Sequence, residues 1–138
     1  MKVVVVAAAV TALVGIRLNA FTPGGPIPRP QGNPAAAKIQ NPVAPTLGSI
    51  AAGKSLYQRF CANCHGSDAK GGPGNDLVPS APDLTGQEWK HGSSDGEIFS
   101  SIKNGVPPDF NMAAWGLQGL KDEEIWSVIN YIRTLAKK

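Results

Sequence analysis

The chain has 138 residues, with 13 basic and 10 acidic side chains and a formal net charge of +3. Two of the basic residues, Lys2 and Arg17, lie in the first 20 positions, so the rest of the chain holds 11 basic against 10 acidic groups. The sequence has no basic run and no basic patch interleaved with aromatic residues, which argues against a nucleic-acid partner. The length is typical of one domain.

The N-terminal segment predicts export. Lys2 precedes an uncharged, apolar run of 14 residues, Val3 to Ile16, and Ala20 supplies a small residue for cleavage. The run is shorter than the about 20 apolar residues that a membrane span needs. We therefore expect residues 1–20 to be a signal peptide that directs the chain to the periplasm or another exported location. The alternative is an uncleaved anchor, in which residues 3–16 associate with the membrane.

Residues 21–48 have the composition of a linker. They include seven prolines and four glycines, at positions 23, 26, 28, 30, 34, 42 and 45 and at positions 24, 25, 32 and 48. Each proline fixes its own φ and disfavours helix in the residue before it. We therefore expect this segment to be extended or disordered, with the folded domain occupying residues 49–138.

Three segments of the expected domain have helical periodicity. The first, residues 49–61, has apolar or small residues at helical spacing, and the second, residues 95–103, follows a capping-box pattern of Ser94 and Glu97. The third begins with three acidic residues at Asp122 and has an apolar face as far as Leu135. No segment alternates with the period of a strand, so we expect no sheet. The long Gly- and Pro-rich loop, residues 66–93, suggests that the chain wraps a large group that is not protein.

The sequence Cys61-Ala62-Asn63-Cys64-His65 carries the clearest chemical signal. Two thiols one helical turn apart can add to the two vinyl groups of a haem, and the adjacent imidazole can then bind the iron. Three other interpretations are open. A thioredoxin-like pair needs a βαβ pattern that is absent, a Cys61–Cys64 disulfide would close too small a loop to stabilise the fold, and a zinc site with His91 lacks the usual spacing.

Few residues are available as the second axial ligand of such an iron. Outside the C-x-x-C-H motif, residues 49–138 contain one methionine, Met112, and one histidine, His91. An isolated methionine is often core filler, but Met112 lies in a proline-stiffened loop between two predicted helices. We favour Met112 because histidine and methionine together ligate the iron of cytochromes c, and we keep His91 as the alternative.

Residues 49–138 resemble the class I cytochrome c family, and especially its small bacterial members. The resemblance rests on C-A-N-C-H-G after the first helix, on Ala81-Pro82-Asp83-Leu84, on the loop methionine and on the aromatic last helix. It implies an all-α fold of three or more helices, with long loops wrapped around one covalent haem c. It also implies that Gly53 on the first helix packs against Tyr131 on the last, and that the Pro82 carbonyl accepts a hydrogen bond from the His65 imidazole.

If both axial positions of the iron are filled, one-electron exchange is the chemistry that remains. We therefore expect an electron carrier rather than an enzyme, either free or as a subunit of an oxidoreductase or respiratory chain. Its contacts with redox partner proteins, one donor and one acceptor, should be transient. An open-site haem enzyme or gas sensor is the alternative if Met112 is not a ligand. The three tryptophans are expected near the haem or the helix crossing, where an indole N–H could reach a haem propionate.

Overall fold

The computed structural model describes residues 32–72, 81–86, 89–108 and 111–136. These residues form a short 3₁₀ helix, Ala36–Lys38, and four α-helices: α1 (Leu47–Phe60), α2 (Ala62–His65), α3 (Asp95–Asn104) and α4 (Asp122–Leu135). No strand occurs in these ranges, and the all-α prediction is confirmed. The expected signal peptide lies outside the described residues. None of the described helices is long and apolar enough to cross a membrane.

The helix ends follow the polar residues of the sequence. Thr46 and Ser49 exchange hydrogen bonds between side chain and backbone, so α1 starts at Leu47, two residues before the start expected from periodicity. Ser94 and Glu97 form the expected capping box at the start of α3. At the start of α4, the Lys121 amide donates to the Glu124 carboxylate over 2.8 Å. These bonds satisfy amide groups that a helix N-terminus leaves without a backbone partner.

Helices α1 and α4 cross in close contact and form the centre of the core. Gly53 allows this approach, because a Cβ there would overlap the Ser127 carbonyl of α4. Tyr57 of α1 is fully buried, and its ring lies 5.4 Å from the Tyr131 ring at an interplanar angle of 58°. The resemblance had implied Gly53 against Tyr131. The three atoms nearest to a Cβ at Gly53 belong to the α4 backbone, and the Tyr131 ring contacts the Tyr57 ring.

Helix α3 covers another side of α4. Ile98 and Ile102 are buried, and Phe99 stacks on Trp126 with ring centroids 4.1 Å apart and planes 11° apart. Residues Ile125 to Ile132 of α4 are all buried, so this helix is surrounded rather than amphipathic over its middle turns. Its environment is completed by α1, by α3 and by the chain that precedes α1.

That preceding chain, residues 33–46, is named here the N-terminal arm. Ala36 is buried beside Gly96, and the Asn41 amide donates 2.8 Å to the side-chain oxygen of Asn130 on α4. Proline content placed these residues in an extended or disordered linker, with the domain beginning at residue 49. The arm does lack α-helix, but its amide and carbonyl groups bind the domain, so the folded region reaches back to Asn33 at least. Residues 21–31 of the expected linker lie outside the described residues.

Candidate functional site

The C-x-x-C-H motif forms one tight helical turn directly after α1. The Cys61 amide donates to the Tyr57 carbonyl over 2.8 Å, and the Cys64 and His65 amides both donate to the Cys61 carbonyl, over 3.1 and 2.9 Å. Two sulfur atoms and one imidazole therefore belong to positions 61, 64 and 65 of the same turn. This is the arrangement that attachment to two vinyl groups and ligation of one iron require.

The two cysteines are not joined by a disulfide. Cys61 is buried, and this burial, with a smaller effect of the neighbouring Cys64, raises the pKa of its thiol to about 12. Cysteines that perform thiol–disulfide exchange have a lowered pKa, since the thiolate is the reactive form. The environment of Cys61 is therefore unlike that of a dithiol redox pair, and it favours the haem interpretation.

His65 is buried, and its ring orientation is fixed by a proline carbonyl. Its Nδ1 lies 3.2 Å from the carbonyl oxygen of Pro82, the residue that the resemblance indicated. A carbonyl oxygen only accepts, so Nδ1 carries the proton and Nε2 keeps its lone pair. Burial lowers the pKa of His65, although the bond to Pro82 acts in the opposite direction. A neutral imidazole with a fixed tautomer is the form that binds a metal ion.

The chain after His65 folds back to bring Pro82 into place. The Gly71 amide donates to the His65 carbonyl over 3.0 Å, and the Leu84 amide donates to the Ala69 carbonyl over 2.7 Å. Gly71 has φ +92°, and a Cβ there would lie 2.6 Å from the Ala81 carbonyl oxygen. A glycine is therefore needed where the two segments meet. Gly71 was not predicted from the sequence, where its position in a Gly-Gly pair was the available signal.

Met112 lies in the loop between α3 and α4, as predicted, and its side chain is half-buried against the core. Its carbonyl accepts a hydrogen bond of 3.2 Å from the Val106 amide, and the Trp115 amide donates 3.0 Å to the Ile102 carbonyl. The loop is thus fixed on both sides of the methionine. Its role as an iron ligand stays a prediction.

His91, the alternative ligand, lies in the turn before α3 and is half-buried. Within the described ranges, no group of three or more His, Cys, Asp or Glu side chains is arranged to hold a metal ion. The structure therefore gives no support to a zinc site formed by His91 with the two cysteines and His65. Trp89 is one of the three tryptophans whose indole N–H was considered as a donor to a haem propionate. Its N–H donates to the Gly86 carbonyl over 2.9 Å.

Apolar side chains beside the motif are left partly exposed. Phe60, directly before Cys61, and Trp115 are only partly buried against the core. The Phe60 and Trp115 rings contact each other at 5.3 Å. Together with two adjacent thiols and a neutral histidine, these side chains match the needs of a haem: apolar contact, two thioether bonds and an iron ligand.

An all-helical fold with crossing first and last helices and a C-x-x-C-H turn beside a proline carbonyl defines a c-type cytochrome domain. The chain belongs to the family described as "Cytochrome C oxidase, cbb3-type, subunit III", whose model matches residues 48–132. Its cofactor is accordingly one covalently attached haem c with its iron.

Curated relatives agree with this assignment. The chain is 36% identical over 89 residues to the cbb3-type cytochrome c oxidase subunit CcoP of Rhodobacter capsulatus, an alignment that covers 61% of this chain and 28% of the relative. It is 32% identical over 124 residues to the CcoP subunit of Azospirillum brasilense, which covers 88% of this chain and 41% of the relative. The chain thus spans less than half the length of the curated relatives it matches.

Solved structures of cytochromes cL have the same fold. The cytochrome cL of Methylophaga aminisulfidivorans superimposes with a TM-score of 0.53 at 25% identity, over 65% of this chain and 55% of that one. The cytochrome cL of Hyphomicrobium denitrificans gives a TM-score of 0.55 at 22% identity, over 78% and 65% of the two chains. The second likeness supports the fold alone.

Proposed function

We propose that this domain passes single electrons between redox partner proteins, with Cys61 and Cys64 holding the haem and with His65 and Met112 as the axial ligands of its iron. The haem supplies the Fe(III)/Fe(II) couple. The observation that carries the proposal is the His65 Nδ1 bond to the Pro82 carbonyl, because it leaves Nε2 of a buried, neutral imidazole as an electron-pair donor beside two thiols.

The protein contributes ligands, orientation and exclusion of water. The Pro82 carbonyl makes the His65 imidazole more basic and prevents rotation of its ring. A thioether at Met112 favours the reduced iron and raises the reduction potential. The backbone of Met112 is bonded to Val106, and that of Trp115 to Ile102 of α3, so the loop that carries the thioether is held at two points. Such a closed site performs electron exchange and offers no position to a substrate.

The place of this chain in a larger system follows from its relatives. The curated proteins it matches are named as subunits of cbb3-type cytochrome c oxidases. By analogy, the domain exchanges electrons on the exported side of the membrane, as a free carrier or as a subunit of an oxidoreductase or respiratory chain. Residues 1–20 act as the export signal, and if they are not cleaved, residues 3–16 tether the domain to the membrane. The intact mass of the mature protein distinguishes the two forms.

The test replaces Met112 by leucine, which keeps the apolar volume and removes the sulfur. The wild-type holoprotein should have the spectrum of a six-coordinate, low-spin c-type haem that carbon monoxide does not change. Met112→Leu should keep the covalent haem, bind carbon monoxide, and have a reduction potential lower by on the order of 0.1 V, since axial ligands shift haem potentials over about 0.8 V.

The control is His91→Ala, which removes the alternative ligand and should leave spectrum and potential unchanged. Loss of the low-spin spectrum in His91→Ala, with no effect of Met112→Leu, would reject Met112 as the ligand. A wild-type spectrum that is high-spin and shifted by carbon monoxide would instead indicate an open iron, and the function would be that of a haem enzyme or gas sensor.

A further inference from the structure

Tyr57 binds the C-x-x-C-H turn at both of its ends. Its backbone carbonyl accepts a hydrogen bond from the Cys61 amide over 2.8 Å. Its side-chain hydroxyl donates to the carbonyl of Gly66, the residue directly after His65, over 2.9 Å. The whole motif therefore lies between two hydrogen bonds to one residue.

The position of the Tyr57 hydroxyl is set by the helix crossing and not by the turn. The residue is fully buried, and its ring packs against that of Tyr131 on α4. A ring enclosed in a close-packed core has little space to move, and Tyr57 is fully buried. The hydroxyl is thus a rigid donor presented to the turn from the core.

The Gly66 carbonyl belongs to the residue that follows His65 in the chain. Gly66 has φ +78°, and its carbonyl also accepts a longer bond of 3.2 Å from the Ala69 amide. The His65 carbonyl, in the adjacent peptide, accepts from the Gly71 amide over 3.0 Å. The His65 ring is held by Pro82, whereas its backbone is held by these bonds. Of the donors to Gly66, the Tyr57 hydroxyl makes the shorter bond.

We propose that the Tyr57 hydroxyl is a positioning group for His65, which couples the α1–α4 crossing to the orientation of the haem-ligating turn. The inference rests on the proposed function, in which His65 is the iron ligand. Tyr57 touches neither the imidazole nor the iron in this scheme. It acts through the Gly66 carbonyl, and its removal should loosen the turn without detaching the haem.

The first experiment compares Tyr57→Phe with Tyr131→Phe in the holoprotein. Each variant loses one hydroxyl from the same ring pair, but only the first loses the bond to Gly66. In the reduced protein, hydrogen exchange of the Ala69 and Gly71 amides should accelerate about tenfold in Tyr57→Phe, the effect expected for one buried hydrogen bond. In the oxidised protein, the paramagnetically shifted His65 resonances should move. Tyr131→Phe should leave both measurements at their wild-type values.

A second experiment strengthens the bond instead of deleting it. The chain contains two tyrosines, so 3-fluorotyrosine incorporated into Tyr131→Phe labels position 57 alone. Fluorination makes the phenol a stronger donor, and exchange of the Gly71 amide should become slower than in unlabelled Tyr131→Phe. This experiment retains the hydroxyl, so it remains decisive even if Tyr57→Phe yields too little holoprotein.

Unchanged exchange and unchanged His65 resonances in Tyr57→Phe would overturn the inference. Equal changes in both phenylalanine variants, with an equal fall in the free energy of unfolding, would also overturn it, because they would reflect general loosening of the helix crossing. The exchange of the Gly71 amide does not depend on Met112. A failed Met112→Leu test would therefore reject the proposed ligand set without deciding the role of Tyr57.

Discussion

Two segments that flank α1 are held to the domain by different kinds of bonds. The segment that contains the motif, residues 61–72, is named here the attachment loop, and it is bonded to neighbouring parts of the chain, as in the bonds of Gly71 to His65, Leu84 to Ala69 and the Tyr57 hydroxyl to Gly66. The N-terminal arm is bonded through side chains far away in the sequence. Asn33 reaches Glu97, 64 positions on, and Asn41 reaches Asn130, 89 positions on.

The attachment loop is therefore held by contacts that are short-range in sequence, and the arm by long-range contacts. No hydrogen bond among the described residues joins the arm to the attachment loop; both instead contact the α1–α4 pair. The arm should therefore contribute to stability with little influence on the iron site. Substitutions in the arm contacts that leave the haem spectrum unchanged would sharpen this comparison, and substitutions that change the spectrum would break it.

The largest effect is expected at Gly96, where α3 meets the arm. A Cβ at this position would overlap the Ala36 carbonyl and lie 2.7 Å from the Ile39 carbonyl oxygen. Because both obstacles are backbone, Gly96→Ala should displace the arm and lower the free energy of unfolding by about 3 kcal/mol. Chemical denaturation of the holoprotein measures the loss, and the visible spectrum before denaturation should equal that of the wild type.

Gly48→Ala is a matched control, because Gly48 is also the second residue of its helix. A Cβ there would meet only the Thr46 Oγ1, at 3.7 Å, an ordinary contact distance. The substitution should be neutral or slightly stabilising, since alanine restricts the unfolded chain more than glycine does. An altered haem spectrum in Gly96→Ala alone would show that the arm and the iron site are coupled.

The sequence was sufficient for the attachment motif because its chemistry lies within five consecutive residues. Cys61, Cys64 and His65 share one helical turn whatever the rest of the fold does. Helical periodicity and capping residues likewise located α1, α3 and α4, because both signals depend on neighbours within one or two turns.

The remaining features depend on contacts that no local pattern encodes. Proline content predicted an extended or disordered linker over residues 21–48, and it gave no sign that the Val43 and Ala44 carbonyls would be bound by Asn130. Tyr57 is one of the apolar or aromatic residues at helical spacing in the first predicted helix, and its hydroxyl has a partner because the attachment loop folds back. In both cases the sequence shows the polar group, but it does not show which distant residue becomes its hydrogen-bond partner.

A smaller effect is expected at Asn130, a buried side chain at the centre of the arm contacts. Its amide donates to the Val43 carbonyl over 3.0 Å and to the Ser49 hydroxyl over 3.2 Å, while its oxygen accepts from Asn41 over 2.8 Å. Asn130→Ala leaves these groups without their partner and should lower the free energy of unfolding by about 2 kcal/mol. Protease cleavage within the arm should also become faster.

For comparison, Asn104 is exposed at the end of α3, with one side-chain bond of 3.3 Å to Ser100. Asn104→Ala should lower the free energy of unfolding by less than about 0.5 kcal/mol, as is usual for surface substitutions. Equal losses in the two alanine variants would mean that the arm is not stabilised by Asn130. The comparison between arm and loop would then lose its main support.

The smallest effect, and the only one that depends on pH, is expected at Glu97. Its carboxylate accepts from the Ser94 side chain and from the Asn33 amide, and these bonds hold its pKa below the ordinary value of 4.5. A depressed pKa in the folded state means that the carboxylate stabilises the protein above pH 4.5 and that this contribution is lost as the pH falls through the folded-state pKa. Glu97→Gln should therefore be less stable than the wild type at neutral pH, by on the order of 1 kcal/mol or less.

The measurement is the difference in Tm between the wild type and Glu97→Gln from neutral pH to about pH 3. The difference should be largest at neutral pH and should shrink in acid, as the wild type takes up the proton that glutamine cannot bind. Glu123→Gln, at an exposed position in the first turn of α4, serves as the control for general charge effects. A Tm difference that is constant over this range would contradict the assignment, because the Asn33 contact would then not depend on the charge of Glu97. The arm would in that case be held by shape and neutral hydrogen bonds alone.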